Sequence, residues 1–253
     1  KKGHNYLTLV YQIDACSRRL LFIGKDRTAK TLLRFFREFG QERTKNLKFV
    51  CSDMWKPYLK VIRKKAINAL NILDRFHIVK KLNEAVDKVR REEVCKAKKD
   101  GFTATKLKKS KYCFLKNKEN LTVNQQTRLN DIIKCDFASV KAYFLKEAFR
   151  HFWSYTTWRW AEWFLDKWCD EVTDSGLEPL YGFVNTLNKH RHLIENWFKA
   201  KKAYSSGIVE GLNRKINLVT RKSYGFRTEK VLKIALFHTM GDLPEPKFPH
   251  KFL

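Results

Sequence analysis

Asp53 follows directly on the apolar run LKFVCS, which puts a carboxylate at the C-terminal end of a predicted strand. Acidic side chains in that position can reach an active-site cleft, and an Asp there equally caps the helix that follows. Position alone leaves both roles open. Glu210 comes with companions. At about 100° per residue, Arg214, Asn217 and Arg221 fall within roughly 40° of it on a helix, with Asn213 slightly further round. Ile208, Leu212, Ile216 and Val219 cluster on the opposite side. Such a helix buries the apolar stripe and presents a carboxylate beside guanidiniums and amides. Asp and Glu supply the hard oxygen donors that divalent cations such as Mg²⁺ prefer, but i,i+4 pairing of Glu210 with Arg214 accounts for the same pattern without a metal. Arg221, Lys222 and Arg227, around the string SYGF, would set positive charge where a phosphate backbone approaches, although Gly225 is also an ordinary helix stop.

The elements that must position these residues are legible as patterns. Tyr6 to Asp14 (YLTLVYQID) and Leu20 to Gly24 are strand-like runs separated by a short turn, a hairpin signal. Thr28 opens a helical segment in which Leu32, Phe35, Phe36 and Phe39 recur at three- and four-residue spacing until Gly40 stops it. Leu47 to Cys51 is a short strand, and Met54 to Lys65 a helix with Pro57 in its first turn, where proline is tolerated. Ala69 to Leu73 is a further strand, ending at Asp74 and leading into a helix that carries Phe76, Val79, Leu82, Val86 and Val89. The order up to Glu93 is therefore β-β-α-β-α-β-α. From Cys95 to about Tyr181, Lys-rich stretches give way to long helical patterns, with no repeat. Trp153, Trp160 and Trp168, with Phe164 and Leu145, recur at near-helical intervals and read as core. A last amphipathic helix runs from Glu229 to Met240, before a proline-punctuated, irregular tail. The expected division is 1–94 and 200–241 as parts of one α/β core, 95–199 as a mainly helical insertion, and 242–253 as the tail.

The chain has 253 residues, with 53 Lys and Arg against 26 Asp and Glu, a formal charge of +27. With 43 % hydrophobic and 14 % aromatic residues it can bury a core, so the basic character belongs to a folded protein and not to a disordered polycation. No apolar stretch reaches the roughly 20 residues of a membrane span, and the first residues carry no secretory signal, so a cytoplasmic protein is expected. The six cysteines lie far apart without a C-x-x-C pair, consistent with reduced thiols. A charge of this size attracts polyanions, because each neutralised phosphate releases counterions, and nucleic acid is the leading partner on composition.

The strings SDMWKPY (52–58), LDRFHIVKKLNEAVDKVRREE (73–93) and SGIVEGLNRKINLVTRKSYGFR (206–227) are similar to blocks of the ISL-three family of bacterial insertion-sequence transposases. KGHNYLTLV near the start matches as well, so the resemblance spans nearly the whole chain and is weakest in the Lys-rich middle. It implies a DDE transposase with an α/β, RNase H-like catalytic fold, interrupted by a large helical insertion before the last catalytic acid. The implied activity is metal-dependent DNA strand cleavage and strand transfer in cut-and-paste transposition. Three carboxylates would hold two Mg²⁺ ions, for which Mn²⁺ can substitute, to activate water or a DNA 3′-hydroxyl and stabilise the leaving oxygen.

On that resemblance Asp53 is the second acid and Glu210 the third, both as catalytic metal ligands, while Arg214, Lys215, Arg221, Lys222 and Arg227 contact DNA. Asp74 is the alternative second acid; His77, between Phe76 and Ile78, reads as a structural residue. The family's first acid lies just upstream of the K-G-H element, which here occupies Lys2 to His4, so this chain reads as a catalytic-domain fragment; Asp14 is the nearest substitute. The implied partners are the element's terminal inverted repeats and target DNA, engaged by a homodimer or larger complex at the bacterial nucleoid. The rival readings are a truncated, catalytically inactive DNA-binding relic and a structure-specific nuclease on the same fold.

Overall fold

The computed structural model describes residues 6–14, 17–97, 105–200 and 206–244. It is mixed α/β and mostly helical, with two small sheets. The chain divides into two compact units, one formed by 1–71 with 204–253 and the other by 72–203. Among the described residues no helix is long and apolar enough to cross a membrane.

In the first unit, β1 (Leu7–Ile13) and β2 (Arg18–Lys25) form an antiparallel hairpin, with Leu7 opposite Lys25 and Ile13 opposite Arg18. The register shifts between Val10 and Tyr11, whose partners are Phe22 and Leu20. Leu21 is thus the extra residue of a bulge, and the alternation of faces along β2 changes phase there. That is why Leu20 and Ile23, at odd spacing, share one apolar cluster while Phe22 belongs to the other. The Phe22 cluster takes in Leu32, Phe35 and Phe36 of α1 (Ala29–Phe39) and Val61 and Ile62 of α3 (Lys56–Lys65).

Helix α1 begins where expected because the Thr28 side chain accepts from Thr31 N–H. It ends at Gly40, whose φ of 92° is a conformation that glycine adopts without a Cβ clash. The expected stop is real, but the chain turns at Gly40 and resumes at once as a five-residue helix, α2 (Gln41–Lys45), which the sequence reading lacked. The second sheet pairs β3 (Phe49–Ser52) with β4 (Leu70–Leu73). Near the other end of the chain, α10 (Ser206–Lys222) and α11 (Glu229–Met240) complete the first unit. Thr28 and Thr228 cap α1 and α11 in the same way, each accepting from the backbone N–H three residues on.

The second unit is helical. Its elements are α4 (Arg75–Lys96), α5 (Lys111–Leu115), α6 (Val123–Ile133), α7 (Ala138–Phe149), α8 (Trp158–Asp174) and α9 (Glu178–Lys199). Helix α4 buries Ile78, Leu82, Ala85, Val86 and Val89 and packs against α7 and α9. Trp153 and Trp168 are buried as expected, but Trp160 is 62 % exposed and Trp163 55 %. Spacing across 153, 160 and 168 does not carry one helical phase, because Trp153 sits in a separate 3₁₀ turn (Arg150–Ser154). Within α8 the buried stripe is Ala161, Leu165, Trp168 and Val172, which leaves Trp160 outside it. The tail lies outside the described residues from position 245.

Candidate active site

Asp53 sits immediately after β3, three residues before α3. Its Oδ1 accepts the Trp55 backbone N–H at 3.0 Å, and its Oδ2 is ion-paired with the Arg27 guanidinium. Asp53 does not cap α3, whose N-cap is Trp55 with no side-chain cap bond; instead one oxygen braces the turn ahead of the helix and the other meets a cation. Arg27 also lies over the Trp55 ring, 4.8 Å from its centroid, and Trp55 meets Tyr58 edge-on at 4.7 Å.

The Tyr58 hydroxyl is 2.5 Å from Thr8 Oγ1, which donates its own hydrogen to the Asp26 carbonyl at 2.7 Å. Thr8 has only one hydrogen to give, so Tyr58 is the donor to it. Burial pushes the Tyr58 phenol above its ordinary value, with the Arg27 cation opposing the rise and Asp53 adding to it. The phenol therefore stays protonated and holds α3 to β1 beside Asp53. The sequence offered no pointer to Arg27, since it falls in the connection between β2 and α1, where no periodicity applies.

Glu210 lies in the first half of α10. Leu212 and Ile216 are buried, as the apolar stripe requires, with Ile216 and Val219 in the cluster that covers Leu20 and Ile23 of β2. The opposite face is polar and exposed. Glu210 Oε1 accepts from Arg214 at 2.7 Å, with side-chain exposures of 48 % and 78 % for the two partners. Asn213 accepts from the Tyr11 hydroxyl of β1 at 2.8 Å, which fixes the rotation of the helix on the hairpin. Burial pushes the Tyr11 phenol upward as well, so it remains a donor. Lys215, Arg221, Lys222 and Arg227 are all exposed.

Helix α10 ends with Gly225 N–H bonded to the Thr220 carbonyl, and Gly225 has a φ of 97°. Tyr224, just before it, is fully exposed with a φ of 51°, unusual for a bulky residue. Sequence reasoning noted the cations around this turn and passed over the tyrosine.

Asp53 and Glu210 fall in the same compact unit, and no hydrogen bond or ion pair joins them. Asp14, the substitute first acid, accepts Ser17 N–H at 2.7 Å and Gln12 Nε2 at 2.5 Å, the contacts of a residue that closes the β1–β2 turn. Asp74 caps α4, accepting Phe76 N–H at 2.9 Å, and stands 3.7 Å from His77 Nε2. His77 is thereby paired with the cap of its own helix. The carboxylates have the donor chemistry of a Mg²⁺ site, but their number falls short of a complete one. Among the described residues no group of three or more His, Cys, Asp or Glu side chains could hold a metal ion.

Comparison with known proteins bears on what this surface does. A family model described as a transposase, of the DDE type and ISL-three class, matches residues 1–236. The chain is similar to the transposase for insertion sequence element IS1001 of Bordetella parapertussis, with 28 % identity over 230 residues, covering 90 % of this chain and 56 % of that protein. It is also similar to the transposase for insertion sequence element IS1557 of Mycobacterium tuberculosis, with 29 % identity, covering 96 % of this chain and 59 % of that protein. The chain thus spans less than three-fifths of the length of these relatives. No solved structure matches it.

Proposed function

Because this chain belongs to the ISL-three family of DDE transposases, we propose that it is the catalytic part of an enzyme that cuts DNA and joins strands during transposition of an insertion sequence. On this reading its strands and helices form an RNase H-like core, 1–94 and 200–241, interrupted by the helices of 95–199. The observation that carries the reading is the placing of Asp53 and Glu210 in one compact unit, at a strand end and on an anchored helix face, within a segment that the family model matches throughout.

Asp53 and Glu210 would each give oxygen donors to Mg²⁺ or Mn²⁺, together with a further acid. A bound ion of this kind polarises the scissile phosphate and activates water or a 3′-hydroxyl. The remaining work falls to the chain itself. The Trp55 N–H holds Asp53 at the mouth of α3, and Tyr58 fixes that helix on β1. Arg27 and Arg214 neutralise the two carboxylates and, as planar guanidiniums, suit bidentate contact with phosphate oxygens. Arg214, Lys215, Arg221, Lys222 and Arg227 steer the sugar–phosphate backbone across α10 without reading bases. The substrates are the terminal inverted repeats and target DNA, held by two or more copies in the bacterial cytoplasm.

Nicking of supercoiled plasmid in Mg²⁺ tests this. Asp53→Asn and Glu210→Gln should each abolish cleavage while leaving DNA binding intact, and undiminished cleavage by either variant overturns its assignment. The ion pairs of both acids with arginines favour one second reading, a protein that grips DNA without cutting it. That reading predicts salt-sensitive binding by the parent chain and no metal-dependent nicking under any condition.

A further inference from the structure

A groove of about 1240 Å³ runs between α1 and α3 in the first unit. Its floor is apolar, with Ala29, Leu33, Phe36, Pro57 and Val61, and its rim carries Arg37, Lys45, Lys56, Lys60, Lys64 and Lys65, all exposed. No carboxylate lines it. On other helices some exposed cations meet a carboxylate four residues away, as in Lys88 with Glu92, Lys199 with Glu195 and Lys233 with Glu229. Along α3 the residue four on from Lys56 is Lys60, and four on from Lys60 is Lys64. Like charges at that spacing repel and weaken the helix, so this stripe works against the fold that carries it. Uncompensated positive charge concentrated in a groove marks an anionic ligand.

We propose that this groove binds the sugar–phosphate backbone of duplex DNA, as a second DNA contact apart from the α10 face. The three lysines advance about 6 Å per step and together span about 12 Å of α3, a ladder of point charges suited to successive phosphates. The lysine stems lie along the apolar floor with their ammonium groups raised to the rim, and the deoxyribose edges pack on what is left uncovered. The one aromatic ring in the lining, Phe36, is buried and already packed edge-on against Phe35, so it offers no stacking platform for bases, and the contact is to the backbone and independent of sequence. Lys56 lies only three residues beyond Asp53. The stripe therefore leads from that carboxylate along α3, and the inference rests on the reading of Asp53 as a residue that acts on DNA. A duplex held there would be the stretch that flanks the cut.

The test is a salt titration of the full chain on two unrelated duplexes of about 30 base pairs, read by fluorescence anisotropy. Each phosphate contact contributes about 0.9 to the slope of log affinity against log salt. The triple variant Lys56→Gln, Lys60→Gln, Lys64→Gln should lower that slope by about 2 to 3 and weaken both duplexes alike, with its thermal midpoint unchanged or raised. An unchanged slope overturns the proposal. So does absence of duplex binding by the parent chain, or groove-dependent capture of poly-glutamate in preference to duplex, which would identify an acidic protein as the occupant. Asp53→Asn, assayed for nicking in parallel, separates the two readings. If that variant still nicks plasmid, the catalytic reading fails while the groove result stands.

Discussion

In the helical unit the largest side chains are the deepest: Trp168, Phe114, Phe149 and Phe152 are almost wholly buried, and Phe149 touches Phe152, Trp168 and Phe183 at centroid distances of 4.8 to 5.5 Å. In the unit that carries Asp53 and Glu210, two smaller clusters lie on opposite faces of a two-stranded hairpin, and the charged groups proposed for chemistry lie at its surface. One unit is built around a continuous aromatic core. The other is a thinner frame that holds polar side chains where a ligand can reach them. If that division is right, stability should be sensitive to single residues in the first case and DNA processing in the second.

The largest effect is expected at Trp168. Its ring is enclosed and its indole N–H donates to the Leu145 carbonyl at 2.8 Å, so Trp168→Ala loses both the packing and that bond. A loss of about 3 to 5 kcal/mol is expected, measured as a shift in the urea midpoint; a loss under about 1 kcal/mol would show that the helical core collapses around the cavity.

Next comes Glu93, in α4. Its carboxylate accepts Ala138 N–H at 2.8 Å, Ser139 N–H at 2.9 Å and the Ser139 hydroxyl, so it caps α7, whose own N-cap Phe137 makes no side-chain cap bond. Glu93→Ala frees those donors at a helix N-terminus and should cost about 1.5 to 3 kcal/mol. Restoration of most of that by Ala138→Asp, a local acid at the same terminus, would identify the loss as one of capping. A smaller effect belongs to the frame of the other unit: Thr28→Ala removes the cap of α1 and should cost about 1 kcal/mol by the same urea titration.

The contrast between Thr28 and Glu93 also marks what sequence can disclose. Thr28 was legible because a cap, its helix and the Gly40 stop lie within one short window, and the same holds for the hairpin, α11 and the buried stripe of α10. Glu93 was not, because its partners lie 45 and 46 residues away and no local pattern encodes them. The Leu21 bulge was missed for a related reason: β2 is apolar on both faces, so a change of phase leaves no polar residue out of place. At the site, Asp53 and Glu210 stood out through their neighbours in sequence, whereas Arg27 and Tyr58 join Asp53 only through tertiary contacts. The groove cations were passed over because lysines on a short helix look like any solvated face until the opposite wall is seen.

The smallest expected change in stability is at Arg214, and it sharpens the comparison most. Its pair with Glu210 is exposed on both sides and spaced i,i+4, so it is worth about 0.3 to 0.5 kcal/mol and should fade with added salt. Arg214→Ala should therefore leave the urea midpoint nearly where it was. If α10 is a DNA-facing helix, the same variant should lower the salt slope of duplex binding by about 1, since a lost phosphate contact is read there directly. A variant with little effect on folding and a full unit of slope assigns the residue to the ligand. The reverse result, a stability loss above about 1 kcal/mol with an unchanged slope, would make the polar face of α10 part of the frame and return Glu210 to the role of an ordinary helix ion pair.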